Sequence, residues 1–213
     1  MGRMNHTARS SSEQIVQLNI ALDDVVPKVT RVIEVPYRIR LDALHLVIQA
    51  AMGWTNSHLY MFTARGASWG EPDPDFDSGD LLPASRTRLS DLVADTGVRS
   101  FKYTYDFGDD WRHTVKIGKI GKIAPAFPGI EYPFLLGATG RCPPEDIGGV
   151  PGYMECLAAL RDPSHPRHAE FTNWPGTDFD PAVVDHARID QAMAALTKPP
   201  KRRRASATKS IQV

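Results

Sequence analysis

A chain of 213 residues with 42% hydrophobic content has enough apolar material for one ordinary core. Its 25 basic and 25 acidic residues cancel, but six of the basic ones fall between Thr197 and Val213, where there is no acid, so the rest holds 19 basic against 25 acidic, a net of −6. An acidic body excludes a broad nucleic-acid face on the domain itself, and no apolar run approaches the roughly 20 residues of a membrane helix.

In chain order, residues 1–13 are polar and Ser-rich and lack an apolar signal region, so they read as a disordered leader of a cytoplasmic protein. Ile15 to Leu22 alternates as a strand, and Val29 to Val35 as a second, paired across Asp23-Asp24. Leu41 to Met52 is the first helix: Leu41, Leu44, Ile48 and Ala51 share one face, and Gly53 stops it. His45 lies off that stripe and reads as a polar contact. Trp54 to Phe62 holds a turn and a third strand, with His58, Tyr60 and Phe62 on one face and His58 a candidate pocket wall. Glu71 to Asp80 is acidic, but its glycine comes late for a calcium loop and Ala84 stands where a bidentate Glu is required, so it reads as a solvated loop. Leu89 to Val93 is a short helical turn.

The central stretch is Tyr105-Asp106-Phe107-Gly108-Asp109-Asp110-Trp111-Arg112-His113. Phe101, Tyr103 and Tyr105 alternate before it, and Trp111, His113, Val115 and Ile117 after it. Gly108 between aspartates is turn chemistry, because Gly accepts positive φ and Asp bonds its own neighbouring backbone. The stretch is an antiparallel hairpin with an aromatic inner face and its acids at the tip. Asp106, Asp109, Asp110 and His113 form a polar cluster able to bind a divalent metal or do acid–base work. The plainer reading gives the aspartates to the turn and His113 to the core.

A Pro- and Gly-rich crossing, Ala124 to Gly140, leads to Cys142-Pro143-Pro144-Glu145-Asp146-Ile147-Gly148-Gly149, where prolines fix the backbone and glycines free it. Pro151 opens a helix with Tyr153, Cys156, Leu157 and Leu160 on its apolar face. Cys142 and Cys156 lack metal-knuckle spacing and read as free thiols. His165 to Trp174 is a short helix. Asp180 caps a last helix with Pro181 at its first position and Ile189, Ala192, Met193 and Leu196 on its buried stripe. Lys198 onward is a basic disordered tail, in which Lys201, Arg202, Arg203 and Arg204 are candidates for weak DNA contact.

Together these motifs, with Leu44-His45, Gly53-Trp54, Ser57-His58-Leu59 and Asp178-Phe179-Asp180-Pro181, resemble the plasmid pRiA4b ORF-3-like family, in order from Gln14 to Leu196. One departure stands out. That family usually carries Pro-Pro-Ile-Trp-Arg-Arg in its second strand, and here the segment is Pro27-Lys28-Val29-Thr30-Arg31-Val32. The resemblance implies a bacterial α+β domain, spanning residues 14–196 between the leader and the 197–213 tail, with a largely antiparallel sheet built from hairpins and packed against several helices. It further implies an association with plasmids and insertion elements, where some members are labelled as resolvases. Ser10, Ser11 and Ser12 lack the context of a recombinase nucleophile.

Three functions are then expected. The first is a module binding a small ligand or protein segment in a pocket of His58, Tyr105, Asp106, Asp109, Trp111, His113, Cys142, Glu145 and Asp146. The second is a metal-dependent hydrolase drawing on His58, Asp106, Asp109, His113 and Glu145, with Asp106, His113 and Glu145 as candidate ligands of a divalent ion. The third is a transposition accessory contacting DNA through the tail.

Overall fold

The computed structural model describes residues 14–72, 80–122, 132–173 and 179–197. Among the described residues, eight strands form one sheet: β1 (Gln14–Leu22), β2 (Thr30–Pro36), β3 (Tyr60–Ala64), β4 (Ala67–Gly70), β5 (Leu82–Pro83), β6 (Ser100–Tyr105), β7 (Trp111–Lys122) and β8 (Phe134–Thr139). Their order is β5-β4-β3-β6-β7-β1-β2-β8, and every pairing is antiparallel except β4 with β5. The described residues also form five α-helices: α1 (Leu41–Met52), α2 (Leu89–Thr96), α3 (Gly149–Arg161), α4 (His168–Thr172) and α5 (His186–Thr197). This is the expected α+β architecture. Among the described residues, no helix is long and apolar enough to cross a membrane.

Period-two alternation puts one side of β1, β2, β3, β6 and the start of β7 into the core. Val16, Leu18, Ile20 and Leu22 of β1 are buried, as are Ile33 and Val35 of β2. Across the central hairpin, Tyr105 faces Trp111, Tyr103 faces His113 and Phe101 faces Val115, all buried. Each large aromatic side chain sealed here contributes roughly 2–3 kcal/mol of transfer free energy. Helix α1 covers this face with Leu41, Leu44, Val47, Ile48, Ala51 and Met52, and touches β2, β4 and α5. Its stripe is wide enough to bury His45 and Gln49 as well. Gly53 ends α1 at φ 91°, its N–H bonded to Gln49 O.

The structure departs from expectation at several ends. Strands β4, β5 and β8 carry too little alternation to be read, and β8 forms within the presumed crossing because it pairs with the free edge of β2. Strand β3 starts at Tyr60, so His58 precedes it and the shared face is that of Tyr60, Phe62 and Ala64. The short helix expected from His165 is α4, starting at His168. The last helix starts at His186, not at Pro181. The Asp180 carboxylate accepts from Ala182 N in a local turn, while Asp185 caps α5 by accepting from Arg188 N at 3.0 Å. The leader, the centre of the acidic 71–80 loop, residues 123–131, residues 174–178 with the expected helix end at Trp174, and the tail beyond Thr197 lie outside the described residues.

Candidate functional site

The tip of the β6–β7 hairpin is shaped by Asp106. This residue adopts φ 56°, a left-handed conformation that Asp tolerates better than most side chains. Its N–H donates to Leu59 O at 2.9 Å and its carbonyl accepts from Asp110 N at 2.7 Å. Its Oδ1 accepts from Gly108 N at 3.0 Å and Asp109 N at 3.3 Å. One carboxylate oxygen is thus consumed by the turn. The other, Oδ2, faces His58 Nε2 at 3.5 Å.

His58 is delivered by the turn between α1 and β3, which is tied at several points. Gln49 Oε1 accepts from Asn56 N at 3.1 Å, and His45 Nε2 donates to Asn56 Oδ1 at 2.5 Å. The Tyr103 hydroxyl then donates to His45 Nδ1 at 2.8 Å and accepts from Gln49 Nε2 at 2.9 Å. Burial keeps His45 neutral, drawing its pKa down to about 4 against the weaker upward pull of its Asn56 bond. Ser57 N donates to the Tyr105 hydroxyl at 2.9 Å. Held this way, His58 Nε2 also stands 3.0 Å from Asp146 Oδ1. It is shielded from water yet lacks hydrogen-bond alignment with either carboxylate.

The proline-to-glycine bend closes the other side. Trp54 Nε1 donates to Pro143 O at 3.0 Å. Glu145 accepts from the Tyr105 hydroxyl at 2.6 Å, and its second oxygen accepts from Thr55 N at 3.1 Å and from the Thr55 hydroxyl. Burial first, and the Glu145 contact second, push the Tyr105 phenol above its ordinary range. Gly148 N donates to Asp109 Oδ2 at 3.2 Å. At Gly149, φ is 66° and a Cβ would fall on the Asp109 carbonyl, so only glycine lets the bend approach the hairpin tip this closely.

The two motifs therefore meet, but the residues they bring together differ from the expected ligand set. Donor atoms of His58, Asp106 and Asp146 all lie within 4.8 Å of one another. Asp109, Glu145 and Tyr105 brace that cluster. The candidate ligand set Asp106, His113 and Glu145 is corrected here. The pleat that carries Trp111 into the core carries His113 with it, and its Nδ1 donates to Tyr103 O at 3.2 Å. Burial lowers the His113 pKa to about 4. Trp111 is fully buried beside Trp54, with ring centroids 6.0 Å apart. Cys142 is buried, and desolvation pushes its thiol far up, the state of an inert thiol. Thr55, Asn56, His45 and Gln49 were not anticipated as supports. The one signal was Asn56, a residue prone to left-handed φ just before Ser57-His58, and its φ is 59°.

The family model for plasmid pRiA4b ORF-3-like proteins matches residues 14–188. The chain belongs to the plasmid pRiA4b ORF-3-like family. All three residues of the cluster lie inside the matched span of this pRiA4b ORF-3-like chain. A curated relative, the uncharacterized protein y4hQ of Sinorhizobium fredii (strain NBRC 101917 / NGR234), is 49% identical over 185 residues, covering 85% of this chain and 92% of its own. Among solved structures, a protein of unknown function, MM3350 from Methanosarcina mazei Go1, shares the fold with a TM-score of 0.71 and 33% identity, over 81% of this chain and 96% of that one.

Proposed function

We propose that this pRiA4b ORF-3-like chain is a binding module whose mouth holds a divalent cation through His58, Asp106 and Asp146. The observation that carries the reading is the approach of one imidazole nitrogen and two carboxylate oxygens to within 4.8 Å. One ion needs its donors roughly 3–4 Å apart. Asp146 is exposed at the rim and can close that gap by turning its side chain. A mixed N/O donor set suits zinc or manganese better than calcium. Beside His58 opens a cleft of about 550 Å³, walled by His45, Asn56 and Tyr60. That is room for a small ligand or a segment of a partner.

The test is calorimetric titration of Zn²⁺ and Mn²⁺ into chelator-stripped protein. One ion per chain is expected. Asp106→Asn keeps the turn but halves the anionic charge of the cluster, and should weaken binding about tenfold or more, as should His58→Gln. Binding that both variants leave intact, or none in the parent, would remove the cation.

The same three donors leave coordination positions open to water, which favours metal-assisted hydrolysis as the second reading. Turnover of a model phosphodiester or ester, lost with Asp106→Asn, would select it. Contact with DNA through Lys201, Arg202, Arg203 and Arg204 concerns residues outside those described, and rests on their charge alone.

A further inference from the structure

A second cleft, of about 240 Å³, is bordered by Cys142, Pro143, Pro144 and Glu145 of the proline-to-glycine bend. Its floor is Arg31, the arginine of β2, with 1% of its surface exposed. This guanidinium donates from Nε to Ala51 O at 2.6 Å and from Nη1 to Thr30 O, Thr139 O and Gly140 O at 2.7, 3.1 and 3.0 Å. All four acceptors are backbone carbonyls. Among the described residues no carboxylate forms an ion pair with it, and Nη2 makes none of these bonds. Proteins seldom leave a buried cation without a counter-charge.

The cleft walls add to that charge. Arg188, on the first turn of α5, lines it and makes no ion pair among the described residues. Arg141 also lines it, lying over the Phe179 ring at 4.9 Å. Two acids, Glu145 and Asp185, also line the space, so three arginines face two carboxylates there. Glu145 is turned to Tyr105 and Thr55, and Asp185 caps α5. An arginine floor, arginine walls and the Trp54 and Phe179 rings form the kind of surface that receives a small oxyanion through charge-assisted bonds.

We infer that this cleft binds a small oxyanion, a phosphate or carboxylate group, whose charge compensates Arg31. The site shares no donor with the proposed cation cluster, although Glu145 lines this cleft and braces that cluster. The size of the cleft limits the ligand to a small molecule or to the anionic end of a larger one.

Calorimetric and melting titrations of the chelator-stripped full chain test this, with sodium phosphate and sodium succinate as probes and sodium chloride at matched ionic strength as control. One phosphate or succinate per chain is expected to bind saturably and to raise the melting temperature above the chloride control. The probe that binds tells a tetrahedral from a planar anion. Arg188→Glu is at the surface and should leave folding intact while weakening binding about tenfold or more. Asp106→Asn should leave anion binding unchanged whether or not it abolishes cation binding. Absence of saturable binding beyond chloride overturns the inference, and so does an Arg188→Glu variant that binds like the parent.

Discussion

His113 shows how burial overrides a residue's chemical promise. Its pKa is held near 4 in the folded chain, against about 6.5 when unfolded. Below pH 6.5 the unfolded state takes up a proton that the folded state refuses. Stability is therefore whole above about pH 6.5 and falls as pH drops towards 4, by about 1.4 kcal/mol per pH unit for this group. Denaturant unfolding at pH 6.5 and 5 should show His113→Gln losing less between the two than the parent. Gly149 is constrained in the opposite way, by space. Alanine there meets both a positive φ and the Asp109 carbonyl. Gly149→Ala should cost at least about 2 kcal/mol in the same measurement.

Three elements have to agree for the site to exist: the hairpin tip, the α1–β3 turn and the bend before α3. The Tyr105 hydroxyl is where they join, accepting from Ser57 N and donating to Glu145. Tyr105→Phe leaves a partly buried carboxylate and an amide without that partner, and should destabilise by about 1–3 kcal/mol. It should also weaken cation binding, because His58 follows Ser57. A melting loss without any change in Zn²⁺ affinity would show that the turn keeps its place unaided. The shape of each of these three elements could be read in advance from alternation in β6 and β7, the glycine stop of α1, the Gly108-Asp109-Asp110 turn and the prolines and glycines of the bend. Where α5 starts depended on competition between neighbouring caps: Asp185, not Asp180, won because it bonds Arg188 N.

At the scale of the whole molecule, charge is divided between an acidic body and a basic C-terminal segment. Helix α5, packed on α1 through Ile189 and Met193, ends at Thr197. A chain cut after Thr197 should melt within about 2 °C of the full one. If the segment beyond contacts DNA, that cut should lower both the affinity and its dependence on salt. Equal binding by the two chains would assign the contact elsewhere.

Local chemistry was enough to announce an α+β fold, a hairpin with an aromatic inner face, an acidic tip and the motifs that mark the family. Period, turn propensity and capping act over a few neighbouring residues, so a string of letters carries them. Which imidazole would reach Asp106 was beyond that range. His113 is seven positions away in the chain but faces the core through the pleat. His58 is far off in the chain and is brought to 3.5 Å by the packing of α1 on the sheet. The same holds for Arg31: its strand could be read, but its burial under the end of α1 and beside β8 came from long-range pairing that no local pattern encodes.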